Sequence, residues 1–187
     1  MIRILLLYIF CLCSILLMSC GTNNSSDDKL NDSSEVKSLS FAETDSISQK
    51  YEEIIIDYYE DGSPFVINYY PKDKPDNIVY QRKLYRNGDI FMEGGLDNGK
   101  RQGKWVAWYE NGNIWSIGNY HQGLNHGSSK VYYDNATLRY NKEYDMGTPN
   151  GLWKFYDPQA NLLGEIMYEN GEIAWENDYM NNKNNNN

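Results

Sequence analysis

Beyond residue 20 the chain has no cysteine; Cys11, Cys13 and Cys20 are the only three among its 187 residues. The remainder can build neither a disulfide network nor a cysteine-ligated zinc site. Histidine is nearly missing too. His121 and His126 are the only two, five apart in one polar stretch, with no spacing of Asp or Glu that announces further metal ligands. They read as solvated turn residues. Positive charge is scarce, with 17 Lys and Arg against 26 Asp and Glu and a formal net charge of -9. That balance excludes nucleic acid, whose phosphates are held mainly by Lys and Arg, as a partner. It also excludes docking of a basic face on an anionic bilayer. No Gly-x-Ser-x-Gly elbow, phosphate loop or dinucleotide fingerprint is present. The adjacent carboxylates Asp27-Asp28 and Glu52-Glu53 would point to opposite faces of a strand, whereas an acid/base pair must converge in a cleft. The sequence therefore predicts no enzymatic activity and no cofactor.

What is present begins with an apolar leader. Behind Arg3, residues Ile4 to Met18 form a near-continuous apolar run, short for a membrane-spanning helix, which needs about 20 residues, and suited to a secretory signal. Leu17-Met18-Ser19-Cys20-Gly21 resembles the bacterial lipobox, although Met18 departs from the residue types usual at its position. The resemblance implies a signal peptide over 1–19, cleavage before Cys20, and acylation of that cysteine as the membrane anchor. A plain cleaved signal or a retained anchor are the alternatives. Residues 20–50, rich in Ser, Asn and Asp, are too poor in apolar side chains to bury a face. They predict a flexible tether, with a root-mean-square reach of roughly 30 Å, holding the body clear of the bilayer. Ser26-Asp27-Asp28 is similar to the acidic surface-export signal of some Bacteroidetes lipoproteins and equally to a plain acidic linker. The expected address is the bacterial envelope, at the outer membrane, on its periplasmic side or at the cell surface. Residues 180–187, rich in Asn, predict a disordered tail.

The body, residues 51–179, is a repeat with a period of 24. Gly103, Gly127 and Gly151 keep that step, as do Trp105, Ser129 and Trp153; Trp108, Tyr132 and Tyr156; and Ile114, Leu138 and Leu162. Gly99, Gly123, Gly147 and Gly171 add a fourth copy, and looser units extend back through Leu84 and Gly88 to Tyr59. Each unit reads as strand, turn, strand, turn, with β-branched and aromatic runs and no helical stripe. Asn87-Gly88, Asn98-Gly99, Asn111-Gly112 and Asn170-Gly171 are hairpin signals. Ala136 and Ala160 replace glycine in the Gly112 column, which predicts a different turn type or strain there. His121 to Gly127 reads as a polar connection, and Gly94-Gly95 as a bulge. The fold predicted is all-β: an elongated meander of serial antiparallel hairpins.

A single sheet has no second layer, so its stability must come from its rings. Sixteen of 17 Tyr and all five Trp lie beyond residue 50. Each buried ring removes ~150–250 Å² from water. The glycines of the 103, 127 and 151 columns are expected to let backbone pass close to a neighbouring ring. The unit, clearest in Leu96 to Gly112 and again in Gly147 to Tyr156, resembles the MORN-variant repeat of YwqK-like proteins, often labelled antitoxins. The resemblance implies an elongated sheet used as a scaffold or binding surface, with Gly103, Trp105, Trp108, Gly112, Gly127, Tyr132, Gly151, Trp153 and Tyr156 as structural positions. Three readings follow: capture of a partner protein, binding of a glycan or peptidoglycan by stacking on Trp108, Trp115 or Tyr133, and an antitoxin or immunity role. The membrane is contacted only through the lipid anchor.

Overall fold

The computed structural model describes residues 50–180. The leader, the Cys20 lipidation site, residues 20–49 of the expected tether and residues 181–187 of the Asn-rich tail lie outside the described residues. Eleven strands follow one another: β1 (Tyr51–Tyr58), β2 (Pro64–Pro71), β3 (Tyr80–Leu84), β4 (Ile90–Asp97), β5 (Lys100–Trp108), β6 (Ile114–His121), β7 (Leu124–Tyr132), β8 (Leu138–Asp145), β9 (Thr148–Tyr156), β10 (Leu162–Glu169) and β11 (Glu172–Asp178). They form one sheet in sequence order, each pairing antiparallel with its neighbour. The fold is an open all-β meander.

The two margins of this ribbon carry different turns. On one margin, two-residue turns place both central residues at positive φ: Asn98-Gly99, Gln122-Gly123, Met146-Gly147 and Asn170-Gly171. That is the type I′ geometry whose twist matches the flanking strands. The connection expected over His121 to Gly127 is thus only Gln122-Gly123, and Leu124–Tyr132 is strand. Amide N–H groups of these turns reach back to the preceding unit: Gly123 N donates to Arg101 O (2.9 Å), Gly147 N to Asn125 O (2.7 Å) and Gly171 N to Pro149 O (3.0 Å).

The other margin carries longer turns in which only one residue is left-handed. Gly88 N donates to Tyr85 O and Tyr85 N to Asp89 O, and the same pair of bonds recurs from Tyr109, Tyr133 and Asp157. Ala136 (φ 64) and Ala160 (φ 65) occupy the left-handed position that Gly88 and Gly112 hold elsewhere. The turn type is therefore unchanged, and two alanines bear the strain. A left-handed non-glycine residue costs roughly 1–2 kcal/mol, of which glycine's greater unfolded-state freedom offsets ~0.4–1 kcal/mol. Ala136→Gly and Ala160→Gly should each stabilise the protein by about 0.5–1 kcal/mol. Chemical denaturation measures this; unchanged midpoints would mean that the turns are unstrained.

Tyrosines at the start of these longer turns lock each unit to the next. Tyr59 Oη donates to Leu84 O (2.8 Å), Tyr85 to Trp108 O (2.7 Å), Tyr109 to Tyr132 O (2.9 Å) and Tyr133 to Tyr156 O (2.9 Å). The column ends at Asp157. Its carboxylate accepts bonds from Gln159 N, Asn161 N and Asn161 Nδ2 within its own turn. An aspartate there caps the series with local bonds, where a tyrosine would need a further unit's carbonyl.

The core sits at the centre of the ribbon and uses both faces. Trp105, Val106, Ala107 and Trp108 are all buried, so successive residues of β5 are covered on alternate sides. Val106, Trp108, Ile114 and Ile117 form one cluster, with Ile90 and Tyr132 against it. The opposite face is built on Trp105. The glycines of the 103, 127 and 151 columns do not serve ring approach as expected: all three are at positive φ, and a β-carbon on Gly103 or Gly127 would meet nothing within 4 Å. They allow the backbone kink where strand pairing slips, as between Gly94/Gly95 and the facing Trp105/Gln102. The irregularity expected at Gly94-Gly95 is real, but the extra residues, Gly103 and Lys104, lie across from it on β5. The glycine that makes room for a ring is Gly94, where a β-carbon would overlap the indole of Trp105.

Candidate binding surfaces

The margin of longer turns carries a run of rings. Each long turn precedes a pairing irregularity near the start of the next strand, so that Trp115 is an extra residue between the Trp108–Ile114 and Ala107–Ser116 pairs. Phe91 stacks on Trp115 with centroids 6.0 Å apart and planes at 23°, Tyr85 packs on Phe91 at 5.2 Å and Tyr109 on Trp115 at 6.2 Å. Trp115 is exposed. Of the three rings expected to stack on a ligand, it alone is exposed. Trp108 is 7% exposed inside the apolar cluster, which corrects its reading as a ligand contact. Tyr133 is half-buried, has its hydroxyl committed to Tyr156 O, and holds the Arg139 guanidinium 5.5 Å above its ring.

The opposite face follows from the register, because directly paired residues share a side. Trp105 pairs with Gly118, Gly118 with Ser129 and Ser129 with Lys142; beside them run Ala107, Ser116, Val131 and Tyr140. Trp105 Nε1 donates to Gly95 O and Trp153 Nε1 to Glu143 O, both at 2.8 Å, so the two indoles bracket the ribbon in equivalent poses. Between them, where the column holds Ser129, a slot of about 230 Å³ opens. The Arg101 guanidinium lies 4.4 Å above the Trp105 ring and 5.2 Å from that of Tyr120. Lys142 Nζ sits 4.4 Å from the Tyr140 ring and 4.5 Å from that of Trp153, and burial lowers its pKa. Sequence reasoning treated Ser129 only as a member of the Trp column; the gap in that column was the available signal for the slot.

The rings of His121 and His126 are 5.9 Å apart, His121 Nδ1 meets Gln102 Nε2 at 3.3 Å and His126 Nδ1 meets Asp145 Oδ1 at 3.3 Å. Among the described residues no group of three or more His, Cys, Asp or Glu could hold a metal ion. The buried ion pair, Arg82 Nε to Glu93 Oε2 at 2.8 Å, lies within the sheet beside Val106 and spans β3 and β4 as a structural contact. Burial pushes the Tyr69 phenol up to about 12, with the Arg82 guanidinium over its ring pulling the other way.

Exposed apolar side chains gather at the two ends of the ribbon. Ile54, Ile55, Ile56 and Tyr58 lie on β1, and Ile173 and Trp175 on β11. Among the described residues each of these strands pairs on one side only, leaving the other row of backbone groups open to a further strand.

No protein-family model matches this chain, and no curated protein matches it either. The reading of its function therefore rests on these surfaces.

Proposed function

We propose that the chain is a non-enzymatic envelope lipoprotein of the MORN-variant repeat type, anchored through Cys20, whose sheet captures a partner protein by strand addition at an open end. The observation that carries this reading is the clustering of exposed Ile54, Ile56 and Tyr58 on β1 and of Ile173 and Trp175 on β11, beside unpaired backbone edges. An added strand would satisfy the open N–H and C=O groups and cover the apolar side chains together. Both strands are acidic. β1 carries Glu52, Glu53 and Asp57, β11 carries Glu172, Glu176 and Asp178, and neither holds Lys or Arg. Like charges facing across a strand pair destabilise it, so the edges repel second copies of the chain and favour a segment mixing apolar with basic residues.

A photo-crosslinking residue placed at Asn177, an exposed position on β11, tests this in the full-length chain in envelopes. A protein crosslinked there, through an extended apolar and basic segment, and lost in the Ile173→Lys/Trp175→Lys variant supports the reading. Crosslinks that persist in that variant, or contacts confined to the sheet faces, count against it. A second reading, stacking of a neutral glycan on the ridge, is favoured by the exposure of Trp115; loss of glycan-array binding in Trp115→Ala would promote it.

A further inference from the structure

Periodicity places tryptophan at positions 105 and 153 and serine between them at 129. Gly94 accommodates the Trp105 ring, and Gly118, one period later, faces Ser129 with no indole to accommodate. The Tyr120 ring leans into part of that space, a β-carbon on Gly118 falling 3.0 Å from its Cε2. The rest is the 230 Å³ slot, whose lining includes Arg101, Trp105, Ser116, Asn125, Ser129 and Tyr144.

Arg101 is the informative member. Its Nη1 donates to Tyr120 Oη (3.2 Å) and its Nη2 lies 3.4 Å from Met92 Sδ. Among the described residues it pairs with no carboxylate, in a chain whose net charge is -9. Two aromatic faces hold the guanidinium in place, a contact that fixes its direction without neutralising it. A held, unneutralised fork at the mouth of a slot is a receptor for a carboxylate or similar anion.

We propose that this slot binds an anionic saccharide, a sugar ring bearing a carboxylate, with Arg101 on the carboxylate, Ser116, Asn125 and Ser129 on the hydroxyls, and the Tyr144 ring against the apolar ring face. Three features select this class. Strands β5 to β8 are paired on both sides, so an extended peptide finds no backbone edge there. One fixed guanidinium suits one carboxylate, whereas phosphate recognition draws on clusters of cations. The remaining lining joins hydroxyl and amide groups to aromatic rings and aliphatic side chains such as Ala107 and Val131, which matches a sugar's alternation of polar edge and apolar face. The site lies away from the open ends and is independent of the partner capture proposed above.

The test titrates the full-length chain with an oligogalacturonate, the neutral galactose oligosaccharide of equal length, inorganic phosphate and a glutamate-rich peptide, read by calorimetry and by tryptophan fluorescence. Saturable binding of the oligogalacturonate is expected, at least tenfold tighter than the neutral sugar. Arg101→Gln should weaken it about tenfold or more, the size of a lost charge-assisted hydrogen bond. Ser129→Trp fills the slot with the residue its column already uses and should abolish binding. Should Ser129→Trp fail to fold, Arg101→Gln decides, since it leaves the apolar cluster untouched. Absent binding, equal affinity for the neutral sugar, tighter phosphate or peptide binding, or an unaffected Arg101→Gln variant overturns the proposal. Trp175→Lys should lose the crosslinked partner and keep the uronate, so the two readings fail separately.

Discussion

Trp153→Ala is expected to lower the thermal midpoint by on the order of 10 °C and to loosen the C-terminal half of the ribbon before the rest. Trp153 is 8% exposed; its ring centroid lies 4.5 Å from that of Tyr168 and 5.1 Å from that of Tyr144, and its Nε1 donates to Glu143 O at 2.8 Å. The side chain thus joins β8, β9 and β10 in one contact set. Truncating a buried Trp to Ala costs about 3–5 kcal/mol, and the Glu143 carbonyl loses its partner. Because each unit touches only its neighbours, the loss stays local at first. Hydrogen exchange should show amides of β8 to β11 losing protection while those of β4 to β6 retain theirs. A midpoint equal to wild type would mean that Trp153 carries no core role.

Gly94→Ala should cost about 2–3 kcal/mol, near the upper range for overpacking a filled site. A β-carbon there would overlap Cγ, Cδ1 and Cδ2 of Trp105. The ring is poorly placed to retreat, held by its bond to Gly95 O and covered by the Arg101 guanidinium. A shifted near-ultraviolet circular dichroism spectrum should accompany the loss, since Trp105 must leave its present pose. Gly103 provides the contrast. Nothing lies within 4 Å of its β-carbon position, so Gly103→Ala is penalised only by its φ of 69°. Equal stability of Gly94→Ala and wild type would contradict the packing described for Trp105.

The strand meander was legible in the sequence because its cause is local. Recurrent Gly turns and β-branched, aromatic runs repeat every 24 residues, and each hairpin closes with its sequence neighbours. The roles of individual columns were less legible. Gly94 and Gly103 look alike as letters, yet one makes room for an indole and the other supplies a left-handed kink, a distinction set by what lies across the strand pair. The Tyr85, Tyr109 and Tyr133 column is absent from the sequence reading, where only Tyr133 enters, as a ligand contact; its hydroxyls tie each turn to the carbonyl one unit on. Trp108 was read both as a structural position and as a ligand contact, and periodicity could not choose between faces. The slot was invisible for a related reason: Ser129 is unremarkable by itself, and only the poses of Trp105 and Trp153 on either side turn a missing indole into a binding space.

Deleting one whole unit tests the modular account most directly. Removing residues 109–132 joins Trp108 to Tyr133, which begins the equivalent turn, and preserves every column of the repeat. The shortened chain is predicted to fold cooperatively into nine strands instead of eleven, with its longest dimension in X-ray scattering reduced by roughly 10 Å, two inter-strand spacings. An expanded, aggregated or unfolded product, or one whose length does not change, would contradict it.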